Sequence, residues 1–247
     1  MNRFIRFSRL PGGLIVAAGP ALAAAGSSGG DILHGGKGAA GSPLQIIILL
    51  TALALLPAVV MSVTPFLRIT VVLHFLRQAL GTQSTPSNQV LVGLSLFLSF
   101  LIMQPILNEV YTTAWRPYEQ GTITSEQAID AGGKPIKTFL IRFAREKDIR
   151  LMLELTHAPA PARPSDLGLA VLVPAYILSE LKVGFQIGAV LYLPFLIIDL
   201  IVASVTLSVG MVQLPPVMIS APFKILLFVL VDGWNLVIGS LMRSFNP

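Results

Sequence analysis

The residues of this chain that could carry chemistry are charges set inside apolar runs. PAYILSELKVGFQIG, from Pro174 to Gly188, holds Glu180 and Lys182; Asp199 follows PFLII; and PFKILLFVLVDGW, from Pro222 to Trp234, holds Lys224 and Asp232. An ionisable group at a bilayer centre costs about 2.5 to 3.5 kcal/mol on insertion scales, so each needs a buried partner or a water-lined path. Near neighbours in sequence cannot supply it. Glu180 and Lys182 are two residues apart and would point about 200° from each other on a helix, while Lys224 and Asp232 would lie ~12 Å apart along one. Partners on other helices or other subunits are therefore expected, and a multi-chain membrane assembly is the first reading. Two alternatives stand beside it: snorkelling of Lys224 to an interface, and a proton relay through Glu180 and Asp199.

Other site chemistries find no footing. There is no cysteine, hence no disulfide and no thiolate site, and His34, His74 and His157 lack metal-ligand spacing such as H-E-x-x-H. No G-x-S-x-G elbow occurs. HGGKG resembles part of a phosphate loop, but Asp31 occupies the position of its first glycine and Gly38 that of its Ser/Thr, with no strand before it. The net charge of +5 is scattered and not interleaved with aromatics, which argues against nucleic acid. We expect no cofactor, no metal and no enzymatic activity.

The elements that must position these charges are membrane helices. With 54% hydrophobic residues, 12% charged and a mean hydropathy of +0.78, the 247-residue chain lies far from soluble composition. Arg3, Arg6 and Arg9 precede an apolar stretch, Gly12 to Ala25, too short to span and ending in small residues, which predicts a cleavable signal over 1–25. A Gly/Ser-rich spacer, 26–43, follows. Leu44 to Val63 is an uncharged run of spanning length. FLRITVVLHFLRQALG then carries Arg68 on a short interfacial or buried helix, and Val90 to Leu107 is a second apolar run ending near Pro105, where a kink or stop is expected. These make a first hairpin, 44–108.

From Glu109 to Asp166 the chain carries eight basic and eight acidic residues and no run long enough to span. Thr124-Ser125-Glu126-Gln127 predicts a capping box, Gly132-Gly133 a stop, Pro135 the first turn of a further helix, and Ile136, Phe139, Leu140, Phe143, Leu151 and Leu155 an apolar helical stripe. A second hairpin, 167–247, consists of a long apolar stretch interrupted at Gly184, Gly188 and Pro194, a sharp reversal over 210–216, and the run Val217 to Met242. The expected fold is all-α: two long helical hairpins flanking a polar helical insert. A signal peptide puts the mature N-terminus outside, Arg68 and Arg77 on the cytoplasmic side, and the insert on the extracytoplasmic side; its 58-residue length frees it from positive-inside counting.

PAYILSELKVGFQIG and PFKILLFVLVDGW closely resemble the two signature segments of the FliP/SctR family of type III secretion export-gate proteins, and TPFLRI, LRQALGTQSTPSNQVLVGL and PFLIIDLIVASV resemble further parts of it. The signal peptide and the wording of these motifs are more similar to the flagellar branch than to the injectisome branch. The resemblance implies a homo-pentamer joined by FliQ-like and FliR-like membrane subunits and other export-apparatus proteins. Together they form a cone-shaped helical gate in the inner membrane, within the flagellar basal body, that passes unfolded export substrates. It implies that the hairpins are lifted largely to the extracytoplasmic side after insertion into lipid. It further implies a gate at the reversal formed by consecutive methionines, whose flexible thioethers can seal a pore and deform. Met211 matches; Val212 and Gln213 stand where the family often has methionine. Arg68, Glu180, Lys182, Asp199, Lys224 and Asp232 become expected inter-subunit or buried charge contacts. An injectisome gate subunit of the same architecture, and a proton or ion channel subunit, remain as alternatives.

Overall fold

A 40-residue helix with prolines at Pro174 and Pro194, unbroken at either, is the longest element among the described residues. The computed structural model describes residues 42–210 and 215–245 apart from 83, 160 and 162. The expected signal peptide, nearly all of the spacer, and Met211, Val212 and Gln213 lie outside the described residues. Those described are helical or in turns, with no strand among them. Contacts divide the chain into residues 1–54 and residues 55–247. Of the first unit, 42–54 are described and form the start of α1 (Ser42–Val63), where Ile46, Leu49 and Leu53 are exposed.

In the second unit, α2 (Phe66–Ala79) is followed by α3 (Asn88–Val110), a single π-helical turn (Tyr111–Trp115) and the short α4 (Arg116–Glu119). The insert contributes α5 (Ser125–Phe143) and α6 (Glu146–Thr156). Then come α7 (Leu169–Ser208), α8 (Pro216–Leu230) and α9 (Gly233–Arg243). Ile46–Val63, Asn88–Glu119 and Leu169–Ser208 are long and apolar enough to cross a membrane, and α8 with α9, bent by 67°, is a fourth candidate if taken as one span. At 1.5 Å per residue α7 is ~60 Å long, about twice the hydrocarbon thickness.

The expected interruptions of α7 have another purpose. A Cβ on Gly188 would sit 2.6 Å from Cγ of Phe75, and one on Gly184 would sit 3.2 Å from Cβ of Val71. The two glycines lie one turn apart on one face and let α2 press its side chains against the α7 backbone. Small residues at this spacing are how helices associate where lipid competes equally well for apolar surface. α2 is the most buried helix: Ile69, Val72, Leu73 and Leu76 join Leu91 and Leu98 of α3, Phe195 of α7, Phe228 of α8 and Val237 and Leu241 of α9 in one cluster. A second cluster ties the insert to the first turns of α7 through Met103, Phe139, Leu140, Val171, Leu172 and Tyr176.

Three further expectations are corrected. Pro105 does not end its helix; α3 continues into the π turn, where the Thr112 and Thr113 hydroxyls donate to the Asn108 and Glu109 carbonyls. Gly132-Gly133 does not stop α5. The capping box forms at its start, Gln127 N donating to Thr124 Oγ1 at 3.3 Å and Thr124 N to Gln127 Oε1 at 3.0 Å, but the helix then runs through both glycines and Pro135. Gly132 is a packing residue, since a Cβ there would meet Ala114 Cβ at 3.3 Å. The expected continuous stripe to Leu155 is instead divided at Ala144 and Arg145, both extended.

The run Val217 to Met242 also breaks, at Asp232. Its backbone is left-handed, φ 51°, and Gly233 follows because a Cβ there would lie 2.2 Å from the Phe228 ring. Trp234 meets Phe228 edge-on at 5.4 Å. The wording of the DGW segment thus encodes a sharp turn closed on its own helix.

Gly188→Ala should lower stability by about 1 to 3 kcal/mol, the usual cost of overpacking. Thermal unfolding of the purified protein in one detergent checks this; an unchanged midpoint would show that α2 and α7 are not held at glycine contact.

Candidate functional site

The two carboxylates along α7, Glu180 buried and Asp199 partly so, each meet a cation from a different helix. Glu180 faces α2, where Arg68 grips it with both ends of its guanidinium: Nε donates to Oε2 at 2.9 Å and Nη2 to Oε1. Both residues are almost fully buried. Arg68 Nη1 also donates to the Ser244 hydroxyl at 3.1 Å, and its guanidinium lies 3.9 Å from the Phe245 ring centroid. One fork therefore joins α2, α7 and the residues after α9. A bidentate, stacked site of this kind suits arginine and not lysine. One turn before Glu180, the buried Tyr176 hydroxyl has no partner among the described residues.

Asp199 lies 19 residues further along, ~28 Å down the axis. Its Oδ2 accepts from Lys224 Nζ at 2.6 Å and its Oδ1 from the Ser220 hydroxyl at 2.5 Å, both from α8. The Lys224 side chain is 1% exposed and Asp199 21%. Snorkelling of Lys224 is thereby corrected: the ammonium is turned inward to a carboxylate. Because Asp199 precedes the reversal and Ser220 and Lys224 follow it, this pair fixes how α8 returns along α7.

The other expected contacts separate from these. Lys182 is exposed, on a different face of α7 from Glu180. Asp232 is exposed too, at the start of α9, where it accepts from Asn235 Nδ2 at 3.1 Å and makes no ion pair among the described residues. Its role within this chain is the left-handed turn.

A third polar junction was not expected. Ser179, fully buried, donates to Asp148 Oδ2 at 2.6 Å and accepts from the Arg145 backbone N–H at 2.8 Å, and the Arg145 guanidinium holds both Asp148 oxygens at 2.8 and 3.0 Å. The junction pins the break between α5 and α6 to α7, one residue from Glu180. The signal for it was faint: Ser179 and Ser220 are small polar residues beside charges in apolar runs. Burial pushes the Asp148 carboxyl up, but the bonds from Ser179 and Arg145 and the Arg145 and Lys147 charges outweigh this and hold it below the usual carboxylate range.

The arrangement is structural chemistry: paired ions, serine hydroxyls bonded to the carboxylates, and no group of three or more His, Asp or Glu placed to hold a metal ion among the described residues. The motifs around these pairs match known proteins throughout. Residues 49–241 match the profile of the FliP family. The chain belongs to the FliP family. It is 50% identical over 202 residues to the flagellar biosynthetic protein FliP of Pectobacterium carotovorum subsp. carotovorum, covering 82% of this chain and 78% of that one. Against the protein of the same name from Bacillus subtilis (strain 168) it is 47% identical over 204 residues, 83% and 92% of the two chains. Against that of Caulobacter vibrioides (strain ATCC 19089 / CIP 103742 / CB 15) it is 42% identical over 227 residues, 92% and 85%. Membership places the chain among flagellar biosynthesis proteins with membrane helices.

Two outcomes check the site. Arg68→Met should cost about 3 to 5 kcal/mol by leaving Glu180 buried and unpaired, while Arg68→Met with Glu180→Leu should recover much of that; unfolding midpoints of the two variants in detergent decide it. The Asp148 carboxyl titrates lower folded than unfolded, so its contribution is present above ~3.9 and is lost as pH falls through its folded value. Asp148→Asn should therefore remove this contribution and make the acid limb of the stability profile shallower than in wild type, which denaturation midpoints of the two proteins at pH values descending from about 5 to 3 would show.

Proposed function

We propose that the chain is a pore-forming subunit of the flagellar type III secretion export gate, passing unfolded flagellar proteins across the inner membrane. The observation that carries this reading is FliP-family membership over residues 49–241, which include both signature segments and the reversal between α7 and α8. The geometry of α7 supports it physically. A ~60 Å helix with Phe185, Val190, Leu193, Leu196, Leu200 and Val205 exposed presents more apolar surface along its length than one bilayer crossing covers. Further subunits of a helical, cone-shaped assembly would cover the remainder.

In this reading five copies join FliQ-like and FliR-like subunits, the insert faces the extracytoplasmic side, and the hairpins end up largely above the membrane plane. Residues 210–216 form the constriction. Met211, with Val212 and Gln213 in place of further methionines, contributes a seal that is part thioether and part aliphatic. Gly210, at φ 79°, starts the reversal in a conformation that favours glycine. Lys182 and Asp232, exposed within one chain, are free for contacts with other subunits. Glu180 and Asp199 hold helices together, and their pairing favours a structural role over proton relay.

Deleting the gene should abolish filaments and the secretion of hook and filament proteins, and wild-type complementation should restore both. Complementation with Met211→Gly should change small-ion leakage or export. Normal flagella in the deletion would overturn the reading in favour of an injectisome subunit or a channel. Leakage that ignored Met211 but vanished in Asp199→Asn, with secretion intact, would point to the channel.

A further inference from the structure

Three buried hydroxyls have no partner among the described residues: Thr64 Oγ1, just before α2, Thr70 Oγ1 within α2, and Tyr176 OH on α7. A buried hydroxyl left unbonded keeps the whole cost of its desolvation with nothing in return. Elsewhere in these helices small hydroxyls settle this locally, Ser62 donating to the Ala58 carbonyl, Ser95 to Leu91 and Ser179 to Ala175, each one turn back. Thr64 makes no such bond, and the ring of Tyr176 holds its hydroxyl too far from the Tyr176 backbone to make one.

The register of the helices sets two of the three at one level. α2 and α7 run parallel: Arg68 bonds Glu180, a Cβ on Gly184 would meet Val71, and one on Gly188 would meet Phe75. The partners in the ion pair are 112 residues apart, and the same offset one turn earlier places Thr64 opposite Tyr176. The backbone supports this, since Pro65 is already helical and its carbonyl accepts from Ile69. Val63, next to Thr64, packs against the apolar cluster that contains Tyr176. Thr70, two residues from Arg68, falls on another face of α2.

Few partners could reach this place. Tyr176 is 0% exposed, so neither another subunit nor a lipid headgroup can approach its hydroxyl. Its ring lies 5.9 Å from that of Phe139 on the side of the insert, where the surroundings are apolar. Two neutral hydroxyls beside a guanidinium are a poor cage for a cation, which needs several oxygens and negative charge. The hydroxyls do not bond each other directly. What they require is small, uncharged and able both to donate and to accept.

We propose that an internal water bridges Thr64 Oγ1 and Tyr176 OH, accepting from the phenol and donating to the threonine. This hydration site continues the polar row of Arg68 and Glu180 by one turn and ties the entry of α2 to α7. It goes beyond the export-gate reading and does not depend on it.

The test starts with the full wild-type chain in detergent, exposed to brief X-ray pulses that turn bound water into hydroxyl radicals in place, with the modified residues read by mass spectrometry. Tyr176 should be hydroxylated severalfold faster than Phe195 and Phe228, aromatic rings also buried in the protein. Labelling no faster than theirs would overturn the proposal. Tyr176→Phe and Thr64→Val each remove one hydroxyl at nearly constant shape. Each should raise the unfolding equilibrium constant in denaturant about fivefold, the size of one ordinary hydrogen bond, and the double variant by far less than the product, because loss of either hydroxyl already frees the water. Thr70→Val should show no such coupling to Tyr176→Phe. A Tyr176→Phe protein more stable than wild type would mean that the hydroxyl is orphaned, and effects that simply multiply would mean that Thr64 and Tyr176 act independently; either result overturns the bridge. The labelling is read on wild type, so it decides the matter even where a variant folds poorly.

Discussion

A charge buried in apolar surroundings has to be paired, and in this chain that requirement fixes the position of one helix after another on α7. Glu180 and Asp199 each need a cation. The cations are supplied by α2 and α8, so satisfying them sets where those helices lie and in what register. Apolar packing alone would not do this. Leucine and isoleucine faces can slide past one another at little cost, and where lipid surrounds the protein the hydrophobic drive for helices to associate is absent. A bidentate arginine–carboxylate fork, or a lysine held beside a serine on one carboxylate, admits one register.

Glycines set the approach that makes the first pair reachable. Gly184 and Gly188 bring α2 against the α7 backbone through Val71 and Phe75, and Arg68, one turn before Val71, then arrives at Glu180. The cap on this arrangement comes from the far end of the chain, where Ser244 and Phe245 close over the Arg68 guanidinium. Residues separated by 176 positions share one ion, which makes the fork a long-range contact. The insert is fastened a single residue away, through Ser179, Asp148 and Arg145. Its apolar cluster can be buried from water in the ordinary way, whereas the lower part of α7 has exposed aliphatic side chains and depends on lipid or other chains for its cover.

The backbone irregularities follow the same logic. The π turn at Tyr111–Trp115 carries the apolar α3 on into the insert, and its threonine hydroxyls donate to the Asn108 and Glu109 carbonyls of the turn before it. The left-handed Asp232 bends α9 by 67° from α8, with Gly233 making room for Phe228. In each case a residue that looks like a defect in a helical pattern is the point where the chain changes direction or tightens a contact.

The sequence by itself determined the class of the protein, the existence of its helices and which residues were costly. Composition, the uncharged run at Leu44 to Val63 and charges amid apolar residues follow from transfer free energies, which depend on residue type and not on context. The Thr124 capping box was legible for a similar reason, being a contact between residues three apart. The tertiary structure decided who pairs with whom and which helix breakers break. Arg68 with Glu180 spans 112 residues and no local rule names it. Glycine weakens a helix by an amount that a tight neighbour can outweigh, so Gly184, Gly188 and Gly132 stayed helical where packing rewarded it, and the helices also run on through the exposed Pro105 and Pro194. Val231-Asp232-Gly233 gave way because a ring needed the space that a straight helix would have filled.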